Sequence, residues 1–351
     1  MGKIELRDFD GDLTALPSMA YDTLFEEYGQ DTWLDLNRPE IARHLFADVP
    51  DPRFLIGAYD GTRLVAFIAN VPRTYRFNGR TYRGVASTMM AVHKDYRGAV
   101  AYLISECLRR NAEFGADLAL IILEKGKHSW RLFEQALKPK YRIEQLKPMW
   151  AIARGVDLDK IVESQHLKWY EAAGIRLLGA HRPIAAPAVS GTVRLYRDAD
   201  LGEILALTRR YSDQNCLVRV FQPESLARRL YTEGVTSTLV YERGAAVEGF
   251  INFTVHELVS RQGRYRWAWI DFLYWEGLTT KEQQALLAGL WQASREQGCI
   301  GILEWDKNYY AKGALFRSRF VPYPHSIEVN AWILNPDLSL QGIDRIVEQI
   351  V

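Results

Sequence analysis

The chain presents the same order of elements twice, and this repetition constrains its fold more than any single motif. Residues 4–9 read as a short strand. An amphipathic stretch follows from Asp12, a residue suited to N-capping, through Leu16, Met19, Leu24 and Phe25. Segments 53–59 and 64–71 read as strands joined by Asp60-Gly61, and 74–77 and 81–83 flank Asn78-Gly79, a second hairpin signal. A strand over 84–93 leads to a helix over 100–114, with Leu103, Ile104, Cys107 and Leu108 on one face and Gly115 ending it. A buried strand over 118–123 and a helix over 128–137 complete the first set. The second half repeats the order: strand 192–196, helices 200–211 and 223–231, hairpin 238–242 with 247–255, strand 266–275, helix 280–297, strand 300–305 and helix 308–317. The tail 335–351 becomes helix-like through Ile343, Ile346, Val347 and Ile350.

Strand runs ending in a β–α–β–α tail predict an α+β, or mixed α/β, fold rather than a doubly wound parallel sheet. The predicted organisation is a first domain over 1–178, a linker over 179–190 (GAHRPIAAPAVS), a second domain over 191–334 and the tail. A chain of 351 residues exceeds what one compact core usually holds, which agrees with two units. Lys plus Arg total 44 against 43 Asp plus Glu, so no broad basic field exists to bind nucleic acid by counter-ion release. Cys107, Cys216 and Cys299 show no paired spacing, which suits a reducing compartment and offers no metal-binding cysteine motif. The polar N-terminus is no signal peptide and no apolar run is long enough to span a bilayer, so a cytoplasmic location is expected. Aromatic residues reach 12%, enough to fill a core or to line an apolar tunnel.

The segment that points to chemistry is MMAVHKDYRGAVAYLISECL, from Met89 to Leu108. A strand runs through a turn containing Arg97-Gly98 straight into a helix. A helix N-terminus presents unpaired N–H groups and partial positive charge, Gly lets the backbone approach a phosphate, and Arg adds charge. An ordinary strand–helix turn that uses Gly for its geometry would read the same way.

Strand, V-x-x-x-Y-R-G and amphipathic helix together resemble the acyl-CoA-binding motif of the GNAT N-acyltransferase superfamily. Asn308-Tyr309-Tyr310-Ala311, Leu315-Phe316-Arg317 and Phe320 look like that superfamily's last motif, and Ser129-Trp130-Arg131-Leu132-Phe133-Glu134 is a fainter copy. Two copies imply two tandem GNAT-like domains, each a mostly antiparallel sheet flanked by helices. Ala91-Val92-His93-Lys94-Asp95-Tyr96-Arg97, Leu103-Ile104-Ser105-Glu106 and Ser129 to Lys140 further resemble the protein N-myristoyltransferases, which are tandem GNAT enzymes. The resemblance implies acyl-CoA as substrate, no metal, and a small-molecule or peptide amine as acceptor. It places the acyl-CoA on Met89, Met90, Ala91, Val92, Arg97, Gly98 and Ala99, with the amides of Met89 and Met90 as oxyanion hole. The C-terminal carboxylate that serves that family as base would here be that of Val351. The chain departs from the superfamily pattern where Val100 and Tyr102 replace small residues. Phe133 and Phe316 stand where a general-acid Tyr is usual, and the second half lacks the Arg-Gly turn.

Further catalytic candidates come from the residues themselves. His93 adjoins the turn and is a candidate base, though it reads more readily as a core or surface histidine. Asp271 sits inside the aromatic strand WAWIDFLYW, as hydrogen-bonded structure or as an anchor for an amine. Glu304 and Asp306 share one strand face, either binding an amine or merely ending a solvated strand. The expected activity is acyl transfer from acyl-CoA to an amine. The alternatives are an aminoacyl-tRNA-dependent transferase of the tandem GNAT type and a non-catalytic acyl-CoA sensor.

Overall fold

The computed structural model describes residues 4–29, 32–210, 216–260 and 262–350. The first set of elements comprises β1 (Ile4–Asp8), α1 (Ala15–Tyr28), β2 (Trp33–Leu34), α2 (Pro39–Phe46), β3 (Leu55–Asp60), β4 (Arg63–Phe77), β5 (Arg80–Val92), α3 (Ala99–Phe114), β6 (Leu118–Glu124), α4 (His128–Leu132) and β7 (Ile143–Gly155). Helices α5 (Leu158–Gln165) and α6 (Trp169–Leu178) lead to residues 183–189, which have no regular structure. The second set comprises β8 (Thr192–Leu195), α7 (Leu201–Arg210), β9 (Cys216–Val220), α8 (Pro223–Leu230), β10 (Thr236–Arg243), β11 (Ala246–Ser260), β12 (Gly263–Tyr274), α9 (Thr280–Glu296), β13 (Cys299–Trp305), α10 (Gly313–Arg317), β14 (Val321–Ile333) and β15 (Arg345–Val347).

The two Asn-Gly and Asp-Gly signals turn the chain as their chemistry requires. Asn78 and Gly79 both take positive φ, 48° and 75°, which matches the twist of a two-residue hairpin. The short strands read on either side of Pro72 and of Arg83 are continuous, giving a 15-residue β4 and a 13-residue β5. Their odd and even positions part cleanly. Phe67, Ala69 and Val71 pack under α1 and α2 with Leu16, Met19, Ile41 and Leu45. Ala66 and Ile68 pack under α3 with Leu103 and Cys107. In the second half Ile204, Leu226, Leu230, Leu286 and Leu290 cover Val240, Ile251, Phe253 and Ile270.

All described strands belong to one mixed sheet, ordered β1-β3-β4-β5-β6-β14-β7-β13-β12-β11-β10-β8 along its main path. The halves exchange their last strands. β14 from the second half pairs antiparallel with β6, and β7 from the first half pairs antiparallel with β13, with β7 and β14 side by side at the centre. Strands β7 and β14 were not read from the sequence, and two segments read as helix differ. The tail forms no helix; Arg345, Ile346 and Val347 run parallel to β9 instead, and residues 308–312 precede a shorter α10, Asn308 having φ 63°.

Candidate active site

Two parallel strand pairs, one in each half, open into gaps. β5 and β6 pair only over 84–87 and 118–121, after which they diverge. Among the described residues, Thr88, Ala91 and Val92 of β5 then have ladder partners only on the β4 side. At the point of divergence Met89 and Met90 stand opposite the single Ile68, and Met89 takes φ 55°. A two-against-one bulge bends a strand and re-aims its groups. Left-handed backbone at a non-glycine costs about 1–3 kcal/mol and persists where the surroundings enforce it.

A cavity of about 310 Å³ occupies this gap. Its lining comes from both faces of the sheet: Ile104, Cys107 and Asn111 of α3 on one side, Trp267, Trp269 and Trp305 on the other, with Ser87 to Ala91 between. The cavity therefore passes through the opening between β5 and β6. Its walls are mostly aliphatic and aromatic, the character of a ligand pocket.

The matching gap in the second half is filled. β12 and β13 pair over 266–269 and 299–303, and Asp271 is the bulged residue of β12. Beyond it the Lys307 Nζ donates to the carbonyls of Ile270 and Asp271 at 2.8 and 2.9 Å and contacts the Glu304 carboxylate at 3.1 Å. The Leu273 N–H donates to the Tyr309 hydroxyl at 2.9 Å, and Tyr310 donates to Glu304 at 2.6 Å. Side chains thus occupy the strand edge that stays open in the first half.

This arrangement decides where the sequence candidates stand. Asp271 and Glu304 are buried in the filled gap, and neither lines the cavity. Asp271 accepts from Thr254 and, at 3.2 Å, from Gln349; burial pushes its carboxyl up to about 6. Burial likewise pushes up the Glu304 carboxyl. Asp306 pairs with Lys312 at 2.6 Å. His93 is buried at the end of β5, with Nε2 2.8 Å from an Arg63 nitrogen and Nδ1 accepting from the Asp95 N–H. Met89, Met90 and Ala91 line the cavity, while Val92 packs under α3. Ala99 begins α3 fully buried, and Arg97 lies on the surface paired with Glu26 at 2.5 Å. Gly98 has φ −63°, and a Cβ built there meets nothing within 4 Å, so neither backbone nor neighbours require glycine. Phe133 lines the cavity, whereas Phe316 is half exposed on α10. Val351 lies outside the described residues, but Ile350 beside it lines the cavity.

Sequence reasoning missed a polar group on the cavity wall. His325 Nδ1 lies 3.4 Å from Glu124 Oε1, and the Tyr28 hydroxyl donates to Glu124 Oε2 at 2.9 Å. All three residues line the cavity. Glu124 ends β6 at the open edge. His325 reaches it because Pro324 and His325 have no partners on β7, the register jumping from Tyr323 to Ser326. A carboxylate at Nδ1 orients an imidazole and leaves Nε2 to accept a proton. The signal available in the sequence was the Pro324-His325 pair, proline inside a strand being a mark of a bulge.

Among the described residues no helix is long and apolar enough to cross a membrane, and no group of three or more His, Cys, Asp or Glu side chains could hold a metal ion. The three cysteines are buried, and none is in a disulfide among the described residues.

No family sequence model matches the chain, and no curated protein matches it in sequence. Solved structures do. The N-myristoyltransferase of Saccharomyces cerevisiae, crystallised with bound myristoyl-CoA, aligns with 100% of this chain and 90% of its own length at TM-score 0.76 and 16% identity. A GCN5-related N-acetyltransferase from Anabaena variabilis aligns with 94% of this chain and 72% of its own at TM-score 0.53 and 12% identity. A probable N-acyltransferase from Enterococcus faecalis covers 95% of this chain and 73% of its own at TM-score 0.52 and 14% identity. The chain therefore has the tandem GNAT-type fold of the N-myristoyltransferases, with the first-half gap open and the second-half gap filled by its own side chains.

Proposed function

We propose that the chain transfers an acyl group from an acyl-CoA thioester to an amine by direct attack. The observation that carries this reading is the asymmetry of the two gaps. One is a through-passage lined by apolar residues and by the part of β5 beyond its pairing with β6, and the other is closed by Lys307, Tyr309 and Tyr310. In this reading the pantetheine amides pair with the free edge of β5. The phosphates meet the N-terminus of α3 at Gly98 and Ala99, where the open space beside Gly98 leaves the backbone approachable. The acyl chain occupies the apolar cavity. The bulge at Met89 and Met90 supports an oxyanion role, since backbone N–H groups aimed at developing negative charge lower the barrier.

The acceptor nitrogen attacks the thioester carbon, the C–N bond forms and the C–S bond breaks. His325, held by Glu124, takes the proton that the nitrogen loses, and the CoA thiolate leaves and is protonated from solvent. Phe133 cannot act as an acid, and a thiolate is a good enough leaving group to go without one.

Thermal unfolding with free CoA, acetyl-CoA and longer acyl-CoAs tests the reading. A ligand that binds only the native state raises the midpoint by mass action, and the apolar cavity predicts a larger rise for longer chains. Absence of a shift with every CoA species sinks the proposal. Arg97→Ala tests the phosphate site and should weaken CoA binding by about 1–2 kcal/mol, the scale of one charge-assisted contact.

A further inference from the structure

Helix α6 presents its apolar side to solvent. Successive residues turn by about 100°, which gathers Trp169, Tyr170, Ala173, Gly174, Leu177 and Leu178 on one half of its surface, with no charge among them. Trp169 is 81% exposed, Tyr170 51%, Leu177 89% and Leu178 58%. Ala172, the buried residue of the helix, lies on the opposite side. A helix that served only to close the fold would carry the reverse pattern. A contiguous apolar patch left in water marks a face that a partner covers.

The charges around the patch indicate that partner. From Ala172 to Arg197 the sequence holds four arginines and no Asp or Glu. Arg176 is paired with Asp159 at 3.3 Å, and Arg194 with Asp200 at 2.7 Å and Glu242 at 2.8 Å. Arg182 is joined by Arg319 at the C-terminal end of the helix, beside Leu178. A Cβ built on Gly179 would lie within 4 Å of both, and Arg319 donates to the Gly179 carbonyl at 3.5 Å. Both arginines are exposed, and neither meets a carboxylate among the described residues. Behind them the buried Arg154 donates to the carbonyls of Arg182 and Ser318, which adds a third positive charge. Lys168 stands at the other end of the helix, its ammonium 5.7 Å from the Tyr170 ring centre.

A second copy of the chain suits this face poorly. The four large side chains can bury on the order of 500 Å², against about 800 Å² per partner in a stable protein interface. An anionic bilayer surface offers what the patch lacks, hydrocarbon for the apolar half of the helix and phosphate for the arginines. Ten residues are too few to span a bilayer, so such a helix lies in the membrane plane.

We propose that α6 docks the protein on an anionic phospholipid surface, with Trp169, Tyr170, Leu177 and Leu178 entering the headgroup boundary and Arg182 and Arg319 meeting the lipid phosphates. Acyl transfer is not invoked, so this inference and the transferase reading fail separately.

The test sediments the intact chain with vesicles of phosphatidylcholine alone and of phosphatidylcholine mixed with phosphatidylserine. The chain should pellet with the mixed vesicles, far less with the neutral ones, and less as salt rises. Leu177→Ser combined with Leu178→Ser should abolish pelleting and leave the thermal midpoint unchanged, since both side chains already face solvent. Arg182→Gln combined with Arg319→Gln should weaken partitioning by roughly tenfold or more, the effect of two cations at a charged surface. No pelleting with either vesicle, equal pelleting with both, or undiminished pelleting of the serine variant overturns the proposal. A dimer in analytical ultracentrifugation that the serine variant abolishes assigns the face to a second copy instead and overturns it as well.

Discussion

His325 and His256 are both imidazoles set in the sheet, but their surroundings give them opposite uses. His325 is partly exposed, holds Glu124 and faces the cavity. His325→Gln should lower kcat by roughly a hundredfold or more, the usual contribution of a positioned base. CoA-induced stabilisation should persist, and a steady-state comparison with thermal shift separates the two effects. His256 is fully buried against Trp269, with neither ring nitrogen bonded among the described residues. Burial pushes its ionisation down from 6.5 to about 3. The unfolded chain binds the proton more readily, so the stability linked to this ring is complete above about pH 6.5. It is lost as pH falls toward about 3, at up to ~1.4 kcal/mol per pH unit. His44, also pushed down to about 3 by burial, adds a second such contribution. His256→Phe should therefore flatten the acid limb of a denaturation series, leaving the share of His44. An unchanged slope refutes the assignment.

The elements explain why one gap stays open and the other is filled. In both, a bulge interrupts a long strand just where its parallel neighbour diverges, which leaves peptide groups without ladder partners. Buried peptide groups need partners. In the second half the residues after β13 supply them, Lys307 capping two carbonyls and Tyr309 one N–H. After β6 the chain passes directly into α4, whose Ser129 and Leu132 line the cavity. In the proposed acyl-CoA mode the phosphates sit at the turn into α3. Gly98→Val should fold normally, because a Cβ there meets nothing within 4 Å. It should weaken CoA binding by roughly tenfold, about one hydrogen bond's worth, as followed by titration calorimetry. Equal affinity would move the phosphates elsewhere.

At the scale of the molecule, the exchange of β7 and β14 ties the halves into one sheet. Neither half alone can complete its strand order, because β6 needs β14 and β13 needs β7. Segments 1–178 and 191–351 expressed separately should fail to give a cooperative thermal transition, each leaving an apolar sheet edge exposed. Co-expression should recover it, and the intact chain should unfold in one transition by calorimetry. Two well-resolved transitions would mean that the halves are independent.

Much of this architecture was legible from local signals. Alternation, Asn-Gly and Asp-Gly turns and the Gly115 stop mark β3 to β6 and α3, because they act within a few residues. The cavity lies against Met89, Met90 and Ala91, three of the residues on which the resemblance placed the acyl-CoA. β7 and β14 escaped because Pro148, Pro322 and Pro324 interrupt their pattern, proline normally excluding a central strand; here the shifted register between Tyr323 and Ser326 accommodates Pro324. Long-range pairing alone decided the rest. The partnership of Glu124 with His325 spans 201 positions of chain, and the buried ion-pair network of Asp48, Arg219, Arg229 and Glu348 gathers residues of both halves. Local propensity acts along the chain, whereas Coulomb attraction and burial depend on distances that only the folded sheet sets.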